Sequence, residues 1–272
     1  MSSSYGDWQP GHLGLGAPEL YVLLHGPDAN ASEVFKLALQ ELVGRGSIIL
    51  GTFQQGSGPT TTWTAVVVAS QTQPGEIARS LHSVLDAYAG LPAQTPVDRG
   101  TGVTVPELAR ALRSRHGGTL SQWVTDEVMP TLVERGLYTE EQVKRLGLLS
   151  STRYEPTNEG NAAQAMLQAS LKRATEQFPD WAAHDRARAG AFLATAGSAV
   201  LLLPELWPAI EQLHAASPGA KKMMAAGAET MARVSEPVFD IFRLADAGTD
   251  LKTLDMSVDY GRLDRDHPAA GE

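Results

Sequence analysis

The strongest local charge feature of the sequence is basic and lies in the stretch RALRSRH. Arg110 and Arg113 are three positions apart, so they share a face if this stretch is helical, and Arg115 and His116 follow at its end. Guanidinium groups bind phosphate through forked, charge-assisted hydrogen bonds. These four residues are therefore our candidate site for an anionic headgroup. The alternative is that they stay solvated and neutralise the negative end of a helix dipole.

The common catalytic signatures are absent from the sequence. It has no Gly-Lys-Ser or Gly-Lys-Thr phosphate loop, no G-x-S-x-G turn and no H-E-x-x-H pair. The absence of cysteine excludes disulfides, thiolate metal sites and cysteine nucleophiles. Asp180 and His184 are four positions apart, which favours a surface pair over a ligand set. We therefore predict no catalytic residues, no metal site and no cofactor, and a protein that is not an enzyme.

Composition limits the class of partner. The chain has 272 residues, of which 43% are hydrophobic, and this is enough for one large domain or two small ones. Its formal net charge of -9 repels nucleic acids and anionic membranes, so such a partner requires a local basic patch. Strong nucleic-acid binding is not expected.

The membrane signals of the sequence are weak. The first residues lack the positive region and apolar run of a signal peptide. The longest apolar stretch starts at Ala189, but two glycines lie inside it and Pro204 interrupts it. A membrane-spanning helix needs about 18 uninterrupted apolar residues. No transmembrane span is therefore expected. The helix near 187–203 is predicted to be a core helix, with partial insertion into one leaflet as the alternative. We expect a cytoplasmic protein, either free or peripheral to the inner face of the membrane.

Two stretches of the sequence end in the same phrase, Leu-Val-x-Arg-Gly, at 42–46 and at 132–136. Each follows a helix, a Gly-rich turn and a longer helix, and each precedes extended chain. A glycine stops a helix by taking a left-handed conformation that a β-carbon disfavours, and the arginine lies at the negative end of the dipole. This order predicts two similar units near 19–70 and 107–165.

These patterns predict the fold class and the domains. The fold is expected to be mainly α, a compact helical bundle with one or two small β-hairpins, built around two winged-helix-like helix–turn–helix–hairpin units. Residues 1–17 are predicted to be a flexible leader, 18–235 a single helical domain, and 236–272 an acidic and partly mobile C-terminal segment.

Three local predictions concern less regular stretches. PAQTPVDRGTGVTVP is predicted to be a linker or surface loop. TEEQVKRLG is predicted to form one or two helical turns, because Thr139 and Gln142 have the spacing of a capping box. Pro130 is predicted to kink the helix that contains it or to shift its start.

The winged-helix plan allows a regulator as the alternative function. The helix in the recognition position, 119–136, exposes Asp126, Glu127 and Glu134, whose charge opposes phosphate. Such a regulator would act through protein, ligand or weak DNA contacts.

A second resemblance covers more of the chain. FKLALQELVGRGSIIL, followed much later by LVERGLYTEEQVKRLGLLSSTRYEPTN, resembles the bacterial branch of the Golgi phosphoprotein 3-like family, over roughly 19–205. This resemblance implies a mostly helical fold with a hairpin. It also implies a peripheral, non-enzymatic adaptor, because eukaryotic members bind phosphatidylinositol 4-phosphate and act as adaptors for resident enzymes.

The sequence departs from the family at the lipid site. The family uses a tryptophan and arginines there, whereas the matching stretch has Thr125, Asp126 and Glu127. Phosphoinositide binding therefore does not carry over residue by residue. The expectation is an adaptor that binds an anionic lipid headgroup or a protein partner, with Arg110, Arg113 and Arg115 as the substitute site.

Overall fold

The computed structural model describes residues 10–55, 62–70, 77–97, 100–145 and 149–215. Helices dominate these residues, and every strand pair is antiparallel. The predicted mainly α fold with small hairpins is confirmed. The predicted C-terminal segment and the first nine residues of the predicted leader lie outside the described residues.

The first unit contains two helices and a hairpin: α1 (Ala17–His25), α2 (Ala31–Gly44), β1 (Ile48–Gln55) and β2 (Thr62–Ala69). Asn30 caps α2 by accepting a hydrogen bond from the Ser32 N–H at 3.0 Å. The strands pair along their whole length, as the sequence predicted. This unit follows the helix–turn–helix–hairpin order.

The second half of the predicted leader is structured. Pro10–Leu13 forms a 3-10 helix, and Leu15 and Ala17 are buried at 8% and 0% exposure. The difference from the prediction has a simple cause. Leu15 and Ala17 join the hydrophobic core, so their burial outweighs the turn composition around them.

The segment between the units carries one helix and two strands: α3 (Arg79–Ala89), β3 (Thr95–Val97) and β4 (Gly100–Thr104). α3 buries Leu81 and Val84 on one side, and the prediction of a linker or surface loop after it is wrong. β4 pairs with β2 and with β3, which gives a four-stranded sheet in the order β1-β2-β4-β3. Gly102 lets β4 approach β2, because a Cβ there would collide with the Val67 carbonyl.

The second unit has the same order of elements. It contains α4 (Val105–Arg115), α5 (Leu120–Trp123), a π turn (Val124–Val128), α6 (Met129–Glu134) and the hairpin of β5 (Tyr138–Arg145) with β6 (Leu149–Pro156). The chain stays helical through Pro130, and the π turn directly precedes it. A wider turn accommodates the proline ring and its missing N–H, so the predicted disturbance takes this form.

The prediction of helical turns in TEEQVKRLG is wrong. Residues 138–145 form β5, paired with β6 from Tyr138–Pro156 to Arg145–Leu149. The Thr139 hydroxyl donates to the Glu155 carbonyl across the hairpin at 3.3 Å and does not cap a helix. Cross-strand pairing with the next segment of the chain therefore overrides the local helical pattern.

The two units end their longer helices in the same way. Gly46 and Gly136 have φ of +68° and +71°. In each unit the N–H of the residue after the glycine donates to the carbonyl five residues back at 2.9 Å. Both helices thus end in a Schellman motif, as the repeated phrase predicted.

The remaining helices form a layer of their own: α7 (Asn158–His184), α8 (Arg186–Ala196), two 3-10 helices (Gly197–Leu202 and Pro204–Leu206) and α9 (Trp207–Ala215). The apolar stretch near 187–203 breaks at Gly197, and Leu193 and Val200 are buried in a second hydrophobic cluster. Within the described ranges no helix is long and apolar enough to cross a membrane.

Candidate functional site

The predicted basic site lies around the last turn of α4. Thr104 and Glu107 form a capping box at the start of this helix, and Leu108 and Leu112 bury its inner face. Arg110 is exposed on the outer face, next to Glu107, whose pKa it helps to lower after the larger effect of Thr104. Arg110 is therefore exposed to solvent on a helix whose start is capped and whose inner face is buried.

The other three basic residues point to different neighbours. Arg113 donates from Nε to the Gly118 carbonyl at 2.9 Å, and His116 Nδ1 contacts Asp126 Oδ2 at 3.0 Å. Arg115 lies beside the end of α3, because a Cβ on Gly90 would be 2.8 Å from its Nη2. The structure thus arranges the four residues around the α4 terminus and does not bring them together at one point.

The acidic residues of the π turn take part in tertiary contacts. Asp126 accepts from Gln122 Nε2 at 2.8 Å as well as contacting His116, and Glu127 accepts from Arg79 Nε at 2.8 Å. The indole of Trp123 is fully buried and donates to the Ser83 hydroxyl at 2.7 Å. This segment ties α3, α4 and α5 together and presents no exposed tryptophan.

A second group of polar residues was missed by sequence reasoning. Glu41 is 3% exposed, and its carboxylate joins three parts of the chain. Its Oε2 accepts from the Ala17 N–H at 2.6 Å, while its Oε1 accepts from Arg45 Nη2 at 2.6 Å and from the Ser198 hydroxyl at 2.9 Å. Glu41 therefore caps the start of α1 and anchors the 3-10 helix Gly197–Leu202.

Glu19 lies next to Glu41 and is completely buried. Its Oε1 accepts from the Ser80 hydroxyl at 2.6 Å, whereas its Oε2 has no well-formed hydrogen bond. The pKa of Glu19 is raised to about 7, chiefly by burial and to a smaller extent by the charge of Glu41. The Ser80 hydroxyl and, more weakly, the N–H groups of Glu19 and Gly16 lower it. Glu19 is thus a carboxyl group that stays partly protonated near neutrality.

Gly16 shows how close the two carboxyl groups lie. A Cβ at this position would be 2.6 Å from Glu19 Oε2 and 2.8 Å from Glu41 Oε2. Both oxygens therefore converge on the same side of one Cα atom. Only a glycine leaves room for them.

Helical spacing contained a signal for this pair. Glu41 is four positions after Leu37 and three after Ala38, both buried, so it falls on the apolar side of α2. Arg45 is four positions after Glu41, which is the spacing of an ion pair. A glutamate on an apolar face with an arginine one turn away is a recognisable sign of a buried ion pair.

Other candidates for chemistry stay at the surface. His184 Nδ1 and Asp180 Oδ1 are 3.0 Å apart and 76% and 75% exposed, which confirms the predicted surface pair. Among the described residues no group of three or more His, Asp or Glu side chains could hold a metal ion.

Comparisons with known proteins found no matching family model and no significantly similar curated protein. The resemblance to the Golgi phosphoprotein 3-like family therefore stays a prediction.

Proposed function

We propose that this protein is a non-enzymatic adaptor that binds anionic lipid headgroups at the inner face of a membrane through the basic end of α4. The observation that carries the proposal is the exposure of Arg110 and Arg115 on α4, beside the helix end that Arg113 contacts through Gly118. Because these basic residues do not meet at one point, they suit a surface with many headgroups better than one enclosed ligand. Each basic residue near an anionic surface contributes about 1 kcal/mol.

The alternative regulator receives less support as a DNA reader. The helix in the recognition position is interrupted by the π turn, and its Trp123, Val128 and Leu132 are buried. Its Asp126 and Glu127 already contact His116 and Arg79. A segment of this kind lacks both the straight rod and the basic face that the major groove requires.

One feature favours a protein partner as a second candidate. The β5–β6 hairpin forms a two-stranded sheet of its own, and Thr139, Glu140 and Arg153 are exposed along it. Within the described chain neither outer edge of this hairpin pairs with another strand. Unpaired backbone groups on an edge can accept a strand from a partner.

Vesicle co-sedimentation tests the proposal. Wild-type protein is mixed with neutral phosphatidylcholine vesicles and with vesicles that contain about one third anionic lipid, at low and at high salt. We expect binding only to the anionic vesicles, and we expect added salt to weaken it. Arg110→Glu combined with Arg115→Glu should abolish binding, since two charges are reversed at the surface that contacts the membrane.

The matched control reverses two exposed charges elsewhere. Lys172→Glu with Arg173→Glu on α7 changes the net charge equally but leaves the α4 end intact. This control should retain part of the binding. If both double variants lost the same amount of vesicle binding, net charge alone would explain the result. Unchanged binding after the α4 reversals would contradict the proposed site. Circular dichroism of each variant checks the fold.

A further inference from the structure

We propose that Glu19 and Glu41 form a buried proton-binding site, and that loss of its proton loosens the junction that holds the start of α1 and the 3-10 helix Gly197–Leu202 against α2. The two carboxyl groups meet beside Gly16, where no Cβ would fit. Both side chains are removed from water. This inference is independent of headgroup binding.

The hydrogen bonds at the site leave a place for one proton. Glu19 Oε2 is a buried oxygen without a well-formed bond, although the other oxygen of the same group is bound to Ser80. A protonated carboxyl group donates one hydrogen bond, and each carboxylate oxygen accepts two. Glu41 Oε2 accepts from Ala17 and lies on the same side of Gly16 as Glu19 Oε2. A proton on Glu19 neutralises one of the two converging carboxyl groups and so removes the repulsion between like charges.

Among the residues that the structure describes, no cation is paired with Glu19. Arg45 binds Glu41, and Arg79, which adjoins Ser80, binds Glu127. Two further basic groups belong to the neighbouring elements: Arg135, whose Nη2 lies 3.4 Å from the Gly14 carbonyl, and the exposed His12 of the first 3-10 helix. Arg45 therefore contacts the carboxyl pair through Glu41.

Deprotonation acts on contacts that cross the junction. An ionised Glu19 places a second negative charge beside Glu41 in a low-dielectric interior, where repulsion is strong. Glu41 is the group that holds Ala17 and Ser198. A shift of its carboxylate therefore weakens the cap of α1 and the anchor of the 3-10 helix together.

Carboxyl 13C NMR of the full chain tests this inference directly. We expect the Glu19 carbon to titrate near pH 7, and we expect the amide signals of Ala17 and Ser198 to move with the same midpoint. In Glu19→Gln, which keeps an acceptor for Ser80 but cannot ionise, both amides should lose this movement. The exposed Glu134→Gln serves as the control and should leave it unchanged.

Chemical denaturation provides a second measurement. The ratio of the folding equilibrium constant of the wild type to that of Glu19→Gln should fall about 300-fold between acid and mildly alkaline pH, because this ratio isolates the contribution of Glu19. If Glu19→Gln does not fold, the wild-type titration still decides. Ionisation of Glu19 near the ordinary glutamate value, or amides of Ala17 and Ser198 that do not follow it, would overturn the proposal.

Discussion

Gly46 and Gly136 have nearly the same backbone angle, with φ of +68° and +71°, at the ends of the two longer helices that precede the hairpins. A side chain at either position is strained in this left-handed region. Alanine should therefore destabilise the protein by about 1 kcal/mol at each site, as measured by urea unfolding.

Gly190 offers the matched control for these substitutions. It lies within α8, has no positive φ, and a Cβ there meets nothing within 4 Å. Gly190→Ala should stabilise the protein by about 0.5 to 1 kcal/mol, because alanine favours helix. Loss of stability at all three positions would contradict the left-handed explanation.

Gly16→Ala should lower the free energy of unfolding more than Gly90→Ala, which introduces a close contact at the surface. The new Cβ would be 2.6 Å from Glu19 Oε2, and buried carboxyl groups have little room to move. We expect a loss of about 1 to 3 kcal/mol in the free energy of unfolding. Gly90→Ala is the comparison, since its Cβ would meet the mobile tip of Arg115 at 2.8 Å and should cost less. Equal losses would argue against a rigid carboxyl pair.

The contribution of Glu19 to stability, measured as the difference between the wild type and Glu19→Gln, should fall as pH rises toward neutrality. Glu19 has an ordinary pKa of 4.5 in the unfolded chain and about 7 in the fold. Between these values the native state binds more protons than the unfolded state, so each rise in pH favours unfolding. The loss should total about 3 kcal/mol and level off above the folded value. Urea unfolding across this window measures it, and a contribution that rises with pH would contradict the assignment.

Ser80→Ala should have a pH-dependent effect. The Ser80 hydroxyl donates to Glu19 and lowers its pKa, so it favours the ionised form. The cost should be about 1 kcal/mol in acid and about 2 kcal/mol or more above neutrality, because bonds to charged groups are stronger. Ser83→Ala removes the acceptor of the Trp123 indole, an uncharged donor, and should cost the same at every pH. If Ser80→Ala lowered the free energy of unfolding by the same amount at every pH, Ser80 would not be linked to the ionisation of Glu19.

Local sequence patterns predicted the elements that are bounded by local signals. Both Schellman ends, the β1–β2 hairpin and α3 follow from glycines and apolar spacing that the chain displays directly. β4 was missed because its partner β2 is distant in the sequence. β5 was missed because its residues have helical spacing, although its partner β6 follows directly. Gly102 was interpreted as a loop signal, although it permits close approach to β2.

The candidate sites show the same limit. Arg110 and Arg113 fall on one helix, as predicted, but Arg115 turns toward α3 and His116 toward the π turn, and only the packing of those elements determines this. Glu19 and Glu41 come from different helices, and their approach depends on Gly16. Helical spacing therefore predicted the shared face of Arg110 and Arg113, whereas the other contacts of both sites depend on tertiary packing.

The longest helix links separate parts of the molecule. α7 has 27 residues, which is about 40 Å of continuous rod. Leu167 belongs to one hydrophobic cluster and Phe178 to the other, so the same rod is embedded in both. The same helix therefore joins the two clusters, and its start is bonded to the base of the β5–β6 hairpin through the Thr157 N–H and the Leu137 carbonyl.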